Sequence, residues 1–186
     1  MPRTIVIVGA GFGGLGVARW LELRAEAADV DVVLVDRQST HQYYPLLYEV
    51  ATGRAPGRPE DAERALADGV RVDLHAYERR FRGTRVTFRN DEVTAIDRHT
   101  RRLLFRGGAE LAYDGLVLAL GSEVEYYGIP GLREHAIPLK ATADALRIRR
   151  RILDGIARVH DDPDARWSII IGGGGATGVE FACELG

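Results

Sequence analysis

An α/β fold built on a parallel sheet is predicted by three features of the chain. Thr4 to Val8 and Val30 to Val35 are short, continuous apolar runs, as expected for strands buried on both faces. Glycines 9, 11, 13 and 14 follow the first run, and a helix-like segment extends from Leu15 to about Ala27, with Val17, Trp20, Leu21 and Arg24 at helical spacing. The same order of apolar run, glycines and helix start returns at the other end, in IIIGGGGATGVEFACELG. Strand, crossover helix and second strand make a βαβ unit, right-handed by default.

The rest of the chain fits around that unit. HQYYPLLYEVATG (41–53) gathers aromatic and apolar side chains about one proline. Pro56, Gly57 and Pro59 then break the chain ahead of a short helix, and Val70, Leu74, Tyr77 and Phe81 fall on one helical stripe. From Arg85 the period changes: RVTFRN, EVTAID, RRLLFRGG and ELAYDGLVLAL read as strands, with turns near Asn90, His99 and Gly107-Gly108. The first few alternate and predict a small antiparallel meander, whereas Leu116 to Leu120 is uniformly apolar and predicts a return to the buried sheet. Gly128 to Pro138 reads as loop. A helix is predicted from about Ala141 to His160, with Leu146, Ile148, Ile152, Leu153, Ile156 and Val159 as its apolar side, and a last strand from Trp167. The expected domains are 1–140, a linking helix and turn over 141–165, and the start of a second nucleotide-binding domain at 166–186.

Composition narrows the function. The chain has 186 residues, 46% hydrophobic and 28% charged, with net charge −2, which gives no electrostatic case for nucleic acid or acidic lipid. One cysteine, Cys183, excludes an intrachain disulfide, a CxxC pair and a cysteine-based metal cage, and the histidines show no metal-ligand spacing. No stretch approaches the roughly 20 apolar residues of a membrane span. The composition therefore reads as that of a soluble intracellular protein.

Gly9, Gly11 and Gly14 satisfy G-x-G-x-x-G, with separate tasks: a tight turn, close approach of backbone to a pyrophosphate, and close packing of helix on strand. The helix N-terminus favours the anion. Asp36 closes the next strand 22 residues after Gly14, where a carboxylate accepts hydrogen bonds from a ribose. Gly173, Gly175 and Gly178 repeat the spacing. Two such sites in one chain point to electron transfer between two dinucleotides, one of them a flavin. Gly121, ending YDGLVLALG, is either a place where backbone meets cofactor or a plain strand-ending glycine.

Taken in order, GAGFGG, VVLVDR, HQYYPLLYEVATG, EVTAID, YDGLVLALGS, YGIPGLREHAIPLK and GGGGATGVE resemble the two-dinucleotide flavoproteins. More narrowly they are similar to the type II, non-proton-pumping NADH:quinone dehydrogenases, a branch selected by PLLYEVATG and YYGIPGLREHAIPLK. The resemblance implies a Rossmann-like FAD-binding domain followed by the first βα unit of a second, NAD(H)-binding one. It implies that Gly9, Ala10, Gly11, Phe12, Gly13 and Gly14 wrap the FAD pyrophosphate and that Asp36 and Arg37 hold the ribose. Val93 would meet the adenine through its backbone, Ala119 and Gly121 would flank the flavin, and Pro45 and Leu46 would lie near the isoalloxazine. Gly173, Gly175 and Gly178 would hold the NADH diphosphate. Glu180 would face the nicotinamide side, or serve as an ordinary first-turn helix glutamate.

Two departures from the pattern stand out: Leu120 replaces a usual threonine and Ala176 a frequent proline. Disulfide reductases of this fold need a cysteine pair between Gln38 and Val50, where none exists. Cys183 reads as a small buried helix residue, and His41 as a packing or hydrogen-bonding residue. The resemblance implies hydride transfer from NADH to FAD and electrons onward to a quinone. It also implies that the 186 residues are the N-terminal portion of a longer enzyme, inactive alone, with a missing part that contacts the cytoplasmic membrane. Val179, Phe181 and Leu185 would then have little to bury against. A flavin-binding remnant, half of a split flavoprotein docking with a complementary chain, a homodimer, and a ferredoxin reductase are the competing expectations.

Overall fold

A computed structural model describes residues 2–24, 29–53, 58–79, 85–162 and 164–186. The chain forms two compact units, Met1–His41 with Val72–Ser122, and Gln42–Arg71 with Glu123–Gly186.

The first unit is built on β1 (Arg3–Val8), α1 (Phe12–Glu22) and β2 (Val30–Asp36). The helix stops earlier than the predicted Ala27, and residues 25–28 lie outside the described set. β1 and β2 pair in parallel from Arg3 opposite Val30 to Val8 opposite Val35, the register that brings the glycine turn level with Asp36. After a short strand β3 (Thr40–Gln42) and the second unit's first segment, the chain returns through β4 (Arg71–Asp73) and α4 (Leu74–Glu78). Asp73 starts α4 by accepting the Ala76 N–H at 2.8 Å, and its carboxyl is held below the ordinary range chiefly by that bond. The expected stripe Val70–Leu74–Tyr77 is therefore not one helix face: Val70 belongs to the second unit's core and Leu74 to the first's. Phe81 lies outside the described residues.

Then come β5 (Val86–Asn90), β6 (Val93–Asp97), β7 (Arg102–Phe105), β8 (Glu110–Ala112) and β9 (Gly115–Leu118). The parallel sheet runs β5-β2-β1-β9, and β6-β7-β8 form the antiparallel meander. The structure corrects the place of RVTFRN, which joins the parallel sheet beside β2. As a sheet edge covered on one face, it alternates like an antiparallel strand: Val86 and Phe88 pack beside Leu74 and Tyr77. The run Leu116 to Leu120 is also shorter than expected. β9 ends at Leu118, and Leu120 is 70% exposed.

The second unit is helical. A 3-10 turn (Tyr44–Leu46) leads into α2 (Leu47–Thr52), followed by α3 (Pro59–Gly69), a short α5 (Leu132–His135) inside the expected loop, α6 (Thr142–Asp161) and α7 (Ala176–Leu185). Pro59 opens α3, where a missing N–H leaves no helical bond unmade; Pro56 and Gly57 are outside the described residues. Leu47, Val50, Ala51, Val70, Ala145 and Phe181 form the core. Contrary to expectation, Phe181 is only 7% exposed and Leu185 packs against the same cluster, because α2 offers them a partner; Val179 stays exposed. The predicted apolar side of α6 also needs correction. Leu146, Ile148 and Ile152 pack against that core as expected, but Leu153, Ile156 and Val159 are exposed, and the fully buried positions of the helix are the small residues Thr142, Ala145 and Gly155. A Cβ at Gly155 would overlap the Trp167 ring, so the helix is packed where bulk is lowest. Residues 167–171 form no strand, and Ile170 is 92% exposed.

Polar contacts tie α6 to its neighbours. Gln42 Oε1 accepts from both the N–H and the hydroxyl of Thr142, at 2.9 and 3.1 Å. Arg149 donates to the Gly53 carbonyl. Arg150 forks onto Glu63 of α3 at 2.9 and 2.6 Å and holds that carboxyl below its ordinary value. A depressed carboxylate stabilises above its unfolded pKa and loses its contribution as pH falls through the folded one. Acidification from about pH 5 to 3 should therefore lower the Tm of the wild type more than that of Arg150→Gln. Parallel Tm-against-pH curves would show that the pair adds nothing.

Candidate functional site

The glycine turn leaves the C-terminal end of β1, the strand with neighbours β2 on one side and β9 on the other. Strand order reverses there, and the crevice at such a point is where open α/β sheets take ligands. Gly9 has φ +105°, a left-handed conformation that glycine alone adopts freely, and a Cβ on it would overlap the Ala119 carbonyl just past β9. A Cβ on Gly14 would overlap the Gly9 carbonyl oxygen, so α1 rests directly on the turn. Gly11 differs: it is the N-cap of α1 with φ −74° and ψ −172°, and a Cβ there meets nothing within 4 Å. The helical ladder begins with Leu15 donating to Gly11, and the first turn of α1 carries no acidic residue. An anion is favoured at such an end.

Asp36 faces this turn. Its Oδ2 accepts the Ala10 N–H at 2.7 Å and its Oδ1 the Gln38 N–H at 2.8 Å, which leaves each carboxylate oxygen a lone pair for a ribose hydroxyl. His41 also meets the turn: Nδ1 lies 3.0 Å from the Ala10 carbonyl, and the ring packs edge-on against Phe12 with centroids 4.9 Å apart. The expectation of a hydrogen-bonding His41 holds; that its partner is the turn itself was not visible in sequence. Gly13 approaches Ala119, 3.8 Å from an added Cβ to the Ala119 Cβ. Arg37 is exposed just beyond β2, Val93 starts β6 half-buried beside Phe105, and Gly121 has φ +75° with open space around it.

Pro45 and Leu46 sit in the second unit's 3-10 turn, Pro45 exposed. The second glycine motif lies in that unit and repeats the first in backbone detail. Gly173 has φ +121°, Gly175 is the N-cap of α7 with φ −76° and ψ 174°, and a Cβ on Gly178 would overlap the Gly173 carbonyl. Glu180 lies in the second turn of α7, so the first-turn alternative is corrected; no acidic residue occupies the first turn. Burial first, then Glu49, Glu180 and Glu184, push the Tyr48 hydroxyl above its ordinary pKa, which places Glu180 in the electrostatic neighbourhood of Tyr48. Cys183 is exposed, contrary to expectation, because α7 packs through Phe181 and Leu185 and Cys183 falls on the other side.

Residues 3–186 match the model of the pyridine nucleotide-disulphide oxidoreductase family. The chain belongs to this family. It is 34% identical over 191 residues to the type II NADH:quinone oxidoreductase NdhA of Mycobacterium tuberculosis, spanning 98% of this chain and 37% of the relative. To the type II NADH:quinone oxidoreductase of Staphylococcus haemolyticus it is 30% identical, across 98% of this chain and 43% of that one. The chain thus spans about two-fifths of the length of these curated relatives. Two solved structures share the fold. The NDH2 of Plasmodium falciparum in complex with NADH has a TM-score of 0.68 at 20% identity, covering 89% of this chain and 32% of that one. The sulfide:quinone oxidoreductase of Aquifex aeolicus has a TM-score of 0.65 at 22% identity, covering 87% and 33%. The similarity to type II dehydrogenases predicted from the motifs is present along the whole chain. Among the described residues, no helix is long and apolar enough to cross a membrane.

Proposed function

We propose that this chain carries the FAD cradle and the NADH diphosphate turn of an NADH dehydrogenase that passes electrons to a quinone. The observation that carries the reading is the pair of glycine turns with matching backbone geometry, each walled by its own helix and open at its N-cap. The residues of the first turn fit an FAD diphosphate: a Cβ on Gly11 would meet no protein atom within 4 Å, the turn opens into a helix N-terminus, and Asp36 is fixed beside it. In this reading Gly9 to Gly14 bind the diphosphate, Asp36 and Arg37 the ribose, and the Val93 backbone the adenine. Ala119 and Gly121 then stand beside the flavin, as do Pro45 and Leu46 from their own segment. Gly173, Gly175 and Gly178 hold the NADH diphosphate, with Glu180 on the nicotinamide side.

Flavin, when bound, supplies the two-electron chemistry. The protein's part is to hold the two nucleotides and keep the diphosphates neutralised by backbone N–H groups rather than water. Similarity to the type II NADH:quinone relatives supports a quinone acceptor, and attachment at the face of the cytoplasmic membrane is part of the same proposal. The test is direct: the purified protein is incubated with FAD, desalted, scanned for flavin absorbance and assayed for NADH oxidation with a soluble quinone. Stoichiometric flavin and quinone-dependent oxidation are expected. A folded chain that takes up no flavin would refute the reading, and NADH oxidation indifferent to quinone would refute the acceptor.

A further inference from the structure

Ala10, at the centre of the first turn, is 2% exposed, so water cannot satisfy its peptide groups. Its N–H is taken by Asp36 Oδ2 at 2.7 Å, and its carbonyl oxygen lies 3.0 Å from His41 Nδ1. The carbonyl can only accept, so the ring nitrogen that faces it must carry the hydrogen. The imidazole is itself buried, 7% exposed, and is braced edge-on by Phe12 at an interplanar angle of 87°. These contacts matter because a trans peptide is planar. The C=O of Ala10 and the N–H of Gly11 belong to one plane and point in opposite directions. Whatever draws the Ala10 carbonyl inward therefore turns the Gly11 N–H the opposite way, out of the buried side of the turn.

We propose that His41 is a positioning residue for the nucleotide turn: through Nδ1–H it fixes the Ala10–Gly11 peptide so that the Gly11 N–H is presented to the diphosphate. The proposal rests on the reading of this turn as the FAD site and adds to it the residue that sets its donor geometry. Asp36 and His41 then divide the work. Asp36 secures the peptide before Ala10 and His41 the peptide after it, so the turn is oriented before ligand arrives. Without His41 the buried carbonyl would lose its donor, and the peptide would be free to rotate toward another one.

Two measurements test this. In the ligand-free chain, long-range 1H–15N correlation spectra of the neutral His41 ring should show the Nδ1-protonated tautomer; a ring protonated at Nε2 alone would overturn the proposal regardless of flavin. In FAD titrations, His41→Leu should weaken binding by about tenfold or more, the loss expected for one well-placed hydrogen bond and its unpaired partner. His41→Asn, whose amide can donate from near the Nδ1 position, should return to within about threefold of wild type, a rescue that mere packing would not give. Should His41→Leu fail to fold, the Asn variant and the tautomer carry the decision. Binding by the wild type that His41→Leu leaves intact would overturn this proposal alone, whereas no binding by the wild type would overturn the underlying flavin reading.

Discussion

Replacing Gly14 by alanine is expected to unfold the first unit or leave it severely destabilised. The added methyl has nowhere to go: it would overlap the Gly9 carbonyl oxygen and sit 3.4 Å from the Ile7 Cγ2. Backbone cannot yield here as a long side chain would. Gly9 is held through its N–H to the Val35 carbonyl at 2.7 Å, and the preceding Val8 carbonyl accepts the Ala119 N–H at 2.8 Å. Helix α1 would have to lift from β1, uncovering the cluster of Ile7, Ala18 and Leu34. Overpacking alone costs about 1–3 kcal/mol, and displacement of a core helix adds to it, so a loss of about 3 kcal/mol or more is expected. That is a large share of a small domain's stability. Far-UV circular dichroism with thermal melting would register it. A Gly14→Ala chain melting within about 2 °C of wild type would mean that the helix does not rest on the turn as described.

Gly11→Val should do the opposite: fold, and fail to hold FAD. Gly11 has ordinary negative φ, extended ψ and open space where a side chain would project, so valine meets no steric obstacle in the protein. It would instead stand in the space that the diphosphate needs. Several charge-assisted N–H contacts would be lost together, and affinity should fall on the order of a hundredfold or more. Tm without ligand should stay within about 2 °C of wild type. FAD fluorescence titration and a melting curve on the same sample separate the two effects. A valine variant that retains wild-type FAD affinity would remove the diphosphate from this turn.

Local chemistry made part of this structure legible. β1, its glycine turn, α1, β2 and Asp36 each announce themselves within a few residues, and their spacing fixes their relation. What stayed hidden was decided at a distance. RVTFRN alternates because one face of an edge strand is covered, a pattern it shares with the meander strands, so period alone could not assign its sheet. On α6 the apolar pattern found Leu146, Ile148 and Ile152 but also pointed to Leu153, Ile156 and Val159, which are exposed; the deepest positions are Thr142, Ala145 and Gly155, whose smallness is what lets neighbours approach. Phe181 finds cover against α2, about 130 positions earlier in the chain. His41 was legible as a hydrogen-bonding residue, but its partner, a backbone carbonyl, leaves no trace in side-chain identity.

The two N-caps, Gly11 and Gly175, have one more implication. Folding by itself would prefer serine, aspartate or asparagine at the head of each helix, and neither position has φ or crowding that demands glycine. A relic freed from any duty toward a nucleotide could drift toward those residues and gain stability by doing so. Twice over, this chain forgoes that gain.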